Sequence, residues 1–238
     1  MKIMIVGNHK NNLLANDIKN YLEIIKKYNS DKVELIICPT SIYIPYFLGK
    51  GFKVGIQNLN VSGENLTGEV TPFQAKSLNI NYVIIGHYNR RFQFNEDDIL
   101  INKKIKSALN AGIKIILCIG ESREQKALNK LITILPKQID KALMGIGYED
   151  LNNIVIAYEP IWSIGTDIIP TNEELLETIS FIKNYILKKY DVNIRVLYGG
   201  SVDINNINKL LKVNNLDGFL IGAASLDANK MINMIEKI

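Results

Sequence analysis

A single-domain α/β fold, the (β/α)8 barrel, is predicted by three observations on this 238-residue chain. Short β-branched runs recur from one end to the other, longer segments with apolar spacing near three and four lie between them, and no Pro/Gly/Ser-rich linker interrupts the alternation. The strand candidates are Ile3 to Asn8, Val33 to Cys38, Val54 to Gln57, Tyr82 to His87, Ile113 to Cys118, Ile154 to Glu159, Ile194 to Tyr198 and Phe219 to Gly222. Most are continuously apolar, the pattern of parallel strands covered on both faces. Eight strand and helix pairs in this length match a closed barrel better than an open sheet, so residues 1–238 are read as one domain.

The intervening segments carry helix signals. Thr171 and Glu174 have the spacing of a capping box ahead of Leu175, Ile179, Ile182 and Ile186, which share one face. Asn95 is expected to cap a helix with Asp97 and Asp98 in its first turn. Ala228, Met231, Ile235 and Ile238 give the last helix its apolar side.

Composition narrows the function classes. An apolar share of 47% supports a large core, and a net charge of +4 with both signs dispersed lacks the clustered basic face that nucleic acid requires. The same mild charge suits a small anionic substrate. The first apolar run, Ile3 to Val6, is far short of the roughly 20 residues of a membrane span, and no basic block precedes a signal segment. A soluble, cytoplasmic protein with no membrane partner is expected. Cys38 and Cys118 lack metal-ligand spacing and read as packed core thiols rather than a disulfide.

Barrels of this class carry their chemistry at the carboxyl ends of the strands, which directs attention to Asn8, Gln57, His87, Glu121, Glu159, Gly199 and Gly222. Glu159 stands where an apolar strand gives way to a loop; partial desolvation there raises its proton affinity toward the range of an efficient base. Pro160 and Trp162, ahead of Gly165-Thr166, read as a stiff hinge leading into a mobile tip. His87, one of two histidines, ends a strand and faces the start of any short helix formed by Tyr88-Asn89-Arg90-Arg91, whose dipole favours the neutral ring. Lys10 can bring a fixed charge into the barrel mouth, although most loop lysines are simply solvated. Gly199-Gly200-Ser201 and Gly222-Ala223 follow the seventh and eighth strands, where barrels commonly bind phosphate on backbone N–H groups.

These positions together resemble triosephosphate isomerase across essentially the whole chain. The motifs that carry the resemblance are Asn8-His9-Lys10, Gln57-Asn58, Thr67-Gly68-Glu69, Gly86-His87 with Arg90-Arg91, Cys118-Ile119-Gly120-Glu121, Ala157-Tyr158-Glu159-Pro160-Ile161-Trp162, Ile164-Gly165-Thr166, Tyr198-Gly199-Gly200-Ser201-Val202 and Gly222. The resemblance implies a TIM barrel that interconverts glyceraldehyde 3-phosphate and dihydroxyacetone phosphate. Glu159 would move the proton and a neutral His87 would polarise the carbonyl, which is this family's established chemistry rather than a deduction from spacing. Lys10 and Asn8 would stabilise the enediolate, and the N–H groups of Gly165, Ser201, Gly222 and Ala223 would hold the phosphate. The lid would comprise Pro160, Ile161, Trp162, Ser163, Ile164, Gly165, Thr166, Asp167, Ile168, Ile169 and Pro170. No cofactor and no metal are implied. The segment around Thr67 resembles the loop that family members insert into a second subunit, which implies a homodimer.

Three departures bear on rate. Tyr88 and Asn89 stand where the family has serine and glutamate, so a ring lies near Glu159 and a carboxylate partner of Lys10 is lost; Asn89 is still able to accept a hydrogen bond from Lys10. Asp167-Ile168-Ile169-Pro170 replaces a glycine-led lid tip, and Pro170 has no N–H to give the Tyr198 hydroxyl on closure. Reduced turnover of the same reaction is expected. An aldolase using a Schiff base would need a strand lysine facing the mouth, whereas Lys114 is near the amino end of its strand. The alternative from another class is a barrel that binds a phosphorylated metabolite or protein partner without useful catalysis.

Overall fold

The computed structural model describes residues 2–61, 63, 65–166 and 168–238. Eight parallel strands close in chain order: β1 (Ile3–Asn8), β2 (Val33–Cys38), β3 (Lys53–Ile56), β4 (Tyr82–Ile85), β5 (Lys114–Ile119), β6 (Ile154–Tyr158), β7 (Arg195–Tyr198) and β8 (Gly218–Ile221). The expected single barrel is therefore present, with strand ends displaced by one or two residues. Gln57, His87, Glu159 and Gly222 lie just past their strands rather than within them. That places their side chains or N–H groups at the rim where the strands open into loops.

The strands are apolar throughout because each faces two cores. Met4 and Val6, Ile36 and Cys38, Tyr82 and Ile84, Ile116 and Cys118, Val155 and Ala157, with Leu197 and Leu220, fill the barrel interior. Their neighbours one step along, such as Ile5, Leu35, Val83, Ile115 and Ile156, lie in the larger core. Strand side chains alternate between faces, so covering both leaves little room for polar residues. Leu175, Ile179, Ile182 and Ile186 are fully buried on the helix Asn172–Tyr190, which opens with the expected Thr171–Glu174 capping box. Both cysteines are free and buried.

Two local readings are corrected. Asp97, not Asn95, caps the helix Asp98–Asn110, its carboxylate accepting the Leu100 N–H at 2.8 Å. Asn95 instead takes a left-handed conformation at φ 53°, which asparagine tolerates better than most residues. The last helix, Ala228–Ile235, ends before Ile238, and Met234 joins its buried face. Among the described residues no helix is long and apolar enough to cross a membrane.

The closing seam joins β1 to β8, with Met4 opposite Gly218. A Cβ on Gly218 would stand 1.9 Å from the Met4 carbonyl oxygen, and its φ of +150° disfavours side chains as well. Gly218→Ala is predicted to lower the urea midpoint of unfolding, with a loss of at least about 1–3 kcal/mol. An unchanged midpoint would show that the seam does not need this close approach.

Candidate active site

Glu159 begins the loop after β6, and its backbone N–H still bonds to the Ile119 carbonyl at 2.7 Å. The residue is 3% exposed, and a glycine follows β7 where a Cβ would crowd it: a Cβ on Gly199 would lie 2.9 Å from Glu159 Cγ. Burial raises the carboxyl to about 7, against the opposing pull of the Tyr88 N–H, the Lys10 charge, the Cys118 thiol and Arg91. The Tyr88 N–H donates to Oε2 at 3.1 Å. Cys118, read from sequence as a core thiol, is indeed buried, but it also lies against this carboxylate, and burial drives the thiol well above its ordinary range.

His87 is the N-cap of the short helix Tyr88–Gln93, and its Nδ1 accepts the Asn89 N–H at 3.2 Å. An acceptor nitrogen carries no proton, so the neutral ring keeps its hydrogen on Nε2. That nitrogen lies 3.3 Å from Glu159 Oε1. Burial, aided by the Lys10 charge, lowers His87 to about 3, so the ring is neutral at any working pH. The other histidine, His9, is lowered by burial to about 4 and packs edge-on against Tyr21 and Phe47 within the core. It takes no part in the site.

Lys10 is held in a left-handed conformation at φ 51°. Its N–H donates to Asn8 Oδ1 at 3.1 Å, and its carbonyl accepts from Thr40 Oγ1 at 2.8 Å and Gln57 Nε2 at 2.7 Å. Those bonds offset the unfavourable φ and aim the side chain inward. The expected Lys10–Asn89 hydrogen bond is not the one formed. The ammonium instead lies 3.5 Å from the Tyr88 hydroxyl and 5.1 Å from the centre of its ring.

Asn8, Lys10, His87 and Glu159, with Gly165, Ser201, Gly222 and Ala223, the residues expected to hold phosphate, all line one cavity of about 470 Å3. No protein acceptor is found for the N–H groups of those last four among the described residues. Ala223 opens a 3-10 turn, Ala223–Leu226, that directs its N–H back past the end of β8. Lys230 also lines this cavity, and sequence reasoning passed it over because an isolated lysine in a surface helix carries no distinguishing signal. Lys114, weighed as a Schiff-base candidate, begins β5 beneath the Tyr82 ring at the opposite end of the barrel.

The lid is anchored on both sides. Trp162 Nε1 donates to Glu121 Oε1 at 2.7 Å, an oxygen that also receives the Tyr158 hydroxyl at 3.0 Å. Buried Ser163 pairs with the Tyr198 hydroxyl at 3.1 Å, and Ser201 Oγ reaches the carbonyls of Ser163 and Thr166 at 2.7 and 3.0 Å. Pro170 is buried at the far end of the lid. Asp167 lies outside the described residues.

The sequence model of the family described as Triosephosphate isomerase matches residues 3–238. Curated relatives with that name include one from Dictyoglomus thermophilum, 41% identical over 228 residues, which is 92% of this chain and 91% of the relative. Another, from Alkaliphilus oremlandii, is 36% identical over 244 residues and 98% of both chains. A third, from Clostridium tetani, is 37% identical over 238 residues, or 96% of this chain and 93% of its own. The family model spans nearly the whole chain, and the closed eight-stranded barrel agrees with it: this chain belongs to the triosephosphate isomerase family.

Proposed function

We propose that the chain interconverts glyceraldehyde 3-phosphate and dihydroxyacetone phosphate, with Glu159 as the base and neutral His87 as the proton donor to the carbonyl oxygen. The observation that carries this reading is the 3.3 Å approach of His87 Nε2 to a fully buried Glu159. Glu159 takes the proton from the carbon beside the carbonyl while Nε2–H donates toward the carbonyl oxygen, giving an enediolate. His87 passes its Nε2 proton to that oxygen and takes one back from the neighbouring hydroxyl, and the carboxyl returns its proton to the former carbonyl carbon, so atoms and charge balance over the cycle. Lys10 and Asn8 face the developing negative charge, and preorganised donors in a dry site stabilise it without reorganising. Four N–H groups around one cavity replace a dedicated arginine for the phosphate, each charge-assisted bond contributing roughly 1.5–3 kcal/mol.

The base must be ionised in the free enzyme. With its carboxyl at about 7, kcat/KM is predicted to fall as pH drops through that value, and His87 at about 3 adds no limb nearby. Glu159→Gln should reduce kcat by roughly 10²- to 10⁴-fold in a coupled assay. If the variant matches the parent, or the parent does not isomerise at all, the alternative of a non-catalytic metabolite-binding barrel takes over.

Turnover is proposed to be lower than in a family member with a glycine-led lid tip. Pro170 has no N–H to offer, and the Tyr198 hydroxyl is already engaged by Ser163. Incomplete closure lets an enediolate escape and eliminate phosphate. The ratio of methylglyoxal to isomerised product is predicted to exceed that of such a family member, and an equal ratio would count against a leaky lid.

A homodimer is proposed as the working assembly. Support comes from a cavity of about 680 Å3 on the outer side of Lys10, lined by Asn11, Gln57 and Phe94 among others. Exposed Phe94 lines it and exposed Ile42 follows lining Ser41, at 60% and 72%, an apolar surface that a monomer gains nothing by displaying. Thr67 is exposed on its loop, available to enter a second copy. Sedimentation at micromolar concentration should give twice the chain mass of 26.9 kDa, whereas a fully active monomer would refute the dimer. A cytoplasmic location accords with two unpaired, buried thiols.

A further inference from the structure

Tyr88 touches all three groups to which the reaction is assigned. Its N–H holds Glu159 Oε2, its ring lies 4.6 Å from the His87 ring at an interplanar angle of 43°, and its hydroxyl and ring face the Lys10 ammonium. Lys10 itself has a fixed backbone but a flexible four-carbon stem, and among the described residues no carboxylate pairs with its ammonium. The Tyr88 hydroxyl and ring face are the contacts found for that charge. A lysine in a wet cavity with nothing to hold it would spread over several rotamers.

We infer that Tyr88 is a positioning residue, whose ring face and hydroxyl fix the Lys10 ammonium beside Glu159 and His87 in place of an acidic partner. The inference rests on the proposed isomerase reading for its kinetic effect but not for its electrostatic one. A cation within about 6 Å of a ring centre is attracted by the ring's negative face, and more strongly where water is partly excluded. Asn89 lines the same outer cavity as Lys10 and Tyr88, so a carboxylate introduced there has access to the same ammonium.

The test compares Tyr88→Phe, Tyr88→Ser, Asn89→Glu and the double variant Tyr88→Ser/Asn89→Glu in the full chain. Tyr88→Phe keeps the ring and should lose less than about threefold in kcat/KM, while Tyr88→Ser should lose roughly 10- to 30-fold. Asn89→Glu should recover several-fold in the Tyr88→Ser background and much less in the parent, a non-additivity that signals one shared role. Equal effects of Asn89→Glu in both backgrounds would overturn the inference.

A second readout needs no activity. The carboxyl of Glu159 is followed by carbon-13 NMR titration, with Cys118, Arg91, His87 and Lys10 as the titratable or charged groups around it. Removing the ring admits water, which alone would lower the midpoint; displacing Lys10 removes a positive charge, which raises it. A midpoint that rises in Tyr88→Ser and stays in Tyr88→Phe supports positioning, and one that falls or does not move in Tyr88→Ser overturns it. A parent that titrates as expected yet fails to isomerise would fault the proposed reaction and leave this inference to the NMR result.

Discussion

The site depends on keeping one carboxylate out of water without letting it become permanently protonated. Burial alone would push Glu159 far upward, and four opposing influences bring it back: a backbone N–H, two cations and a thiol. The balance is geometric, since the carboxylate and the groups that oppose its burial come from four separate strand ends or the turns after them. Strand β6 supplies the carboxylate, the turn after β4 supplies the N–H and Arg91, β1 leads to Lys10, and β5 carries Cys118. Only a closed sheet brings those four exits around one point, which is why barrel closure and base strength are the same problem here.

Arg91 shows how tightly the two are linked. Its guanidinium donates to the Gly86 carbonyl at 2.7 Å and the Cys118 carbonyl at 3.1 Å, and pairs with Asp98 at 2.7 Å. It thus fixes the end of β4 to the end of β5 and sets where the turn bearing His87 begins. The same side chain contributes to lowering Glu159. A residue that reads as structural in its hydrogen bonds is also electrostatic in its effect, and deleting it would disturb both at once.

Most of the architecture was legible because it is written locally. Eight apolar runs, the Thr171–Glu174 box and the buried face of Leu175, Ile179, Ile182 and Ile186 need only a short window to recognise. Glu159 and His87 were legible for a related reason: each follows a run too apolar to be anything but a buried strand. What escaped depends on partners far along the chain. Lys10 and Tyr88 are 78 positions apart, Trp162 and Glu121 are 41 apart, and nothing near either member announces the other. Lys104 is the sharpest case, a lysine 2% exposed in the middle of a helix, where it is neutralised by Glu96 and bonded to Asn58. Helical periodicity puts it on the buried face with Ile101, Ile105 and Ala108, where a lysine is out of place, and only Glu96 and the loop carrying Asn58 make its burial tolerable.

The surroundings of Lys10 and the segment from Ser163 to Ser201 are fastened by different means, so the consequences of changing them should separate. At Lys10 the contacts are an ammonium, an aromatic face and a hydroxyl, all present before substrate arrives. At the lid they are hydroxyl groups with limited capacity. Ser201 has one O–H hydrogen and two carbonyls within reach, and the Ser163 and Tyr198 hydroxyls share a single bond. Any movement of the lid must therefore redistribute these bonds rather than add to them. Charge placement around Glu159 is settled in the resting protein, while any movement of the segment around Ser163 competes against bonds that it already makes. It follows that the contacts of Glu159 with the Tyr88 N–H and with His87 are in place before any such movement begins.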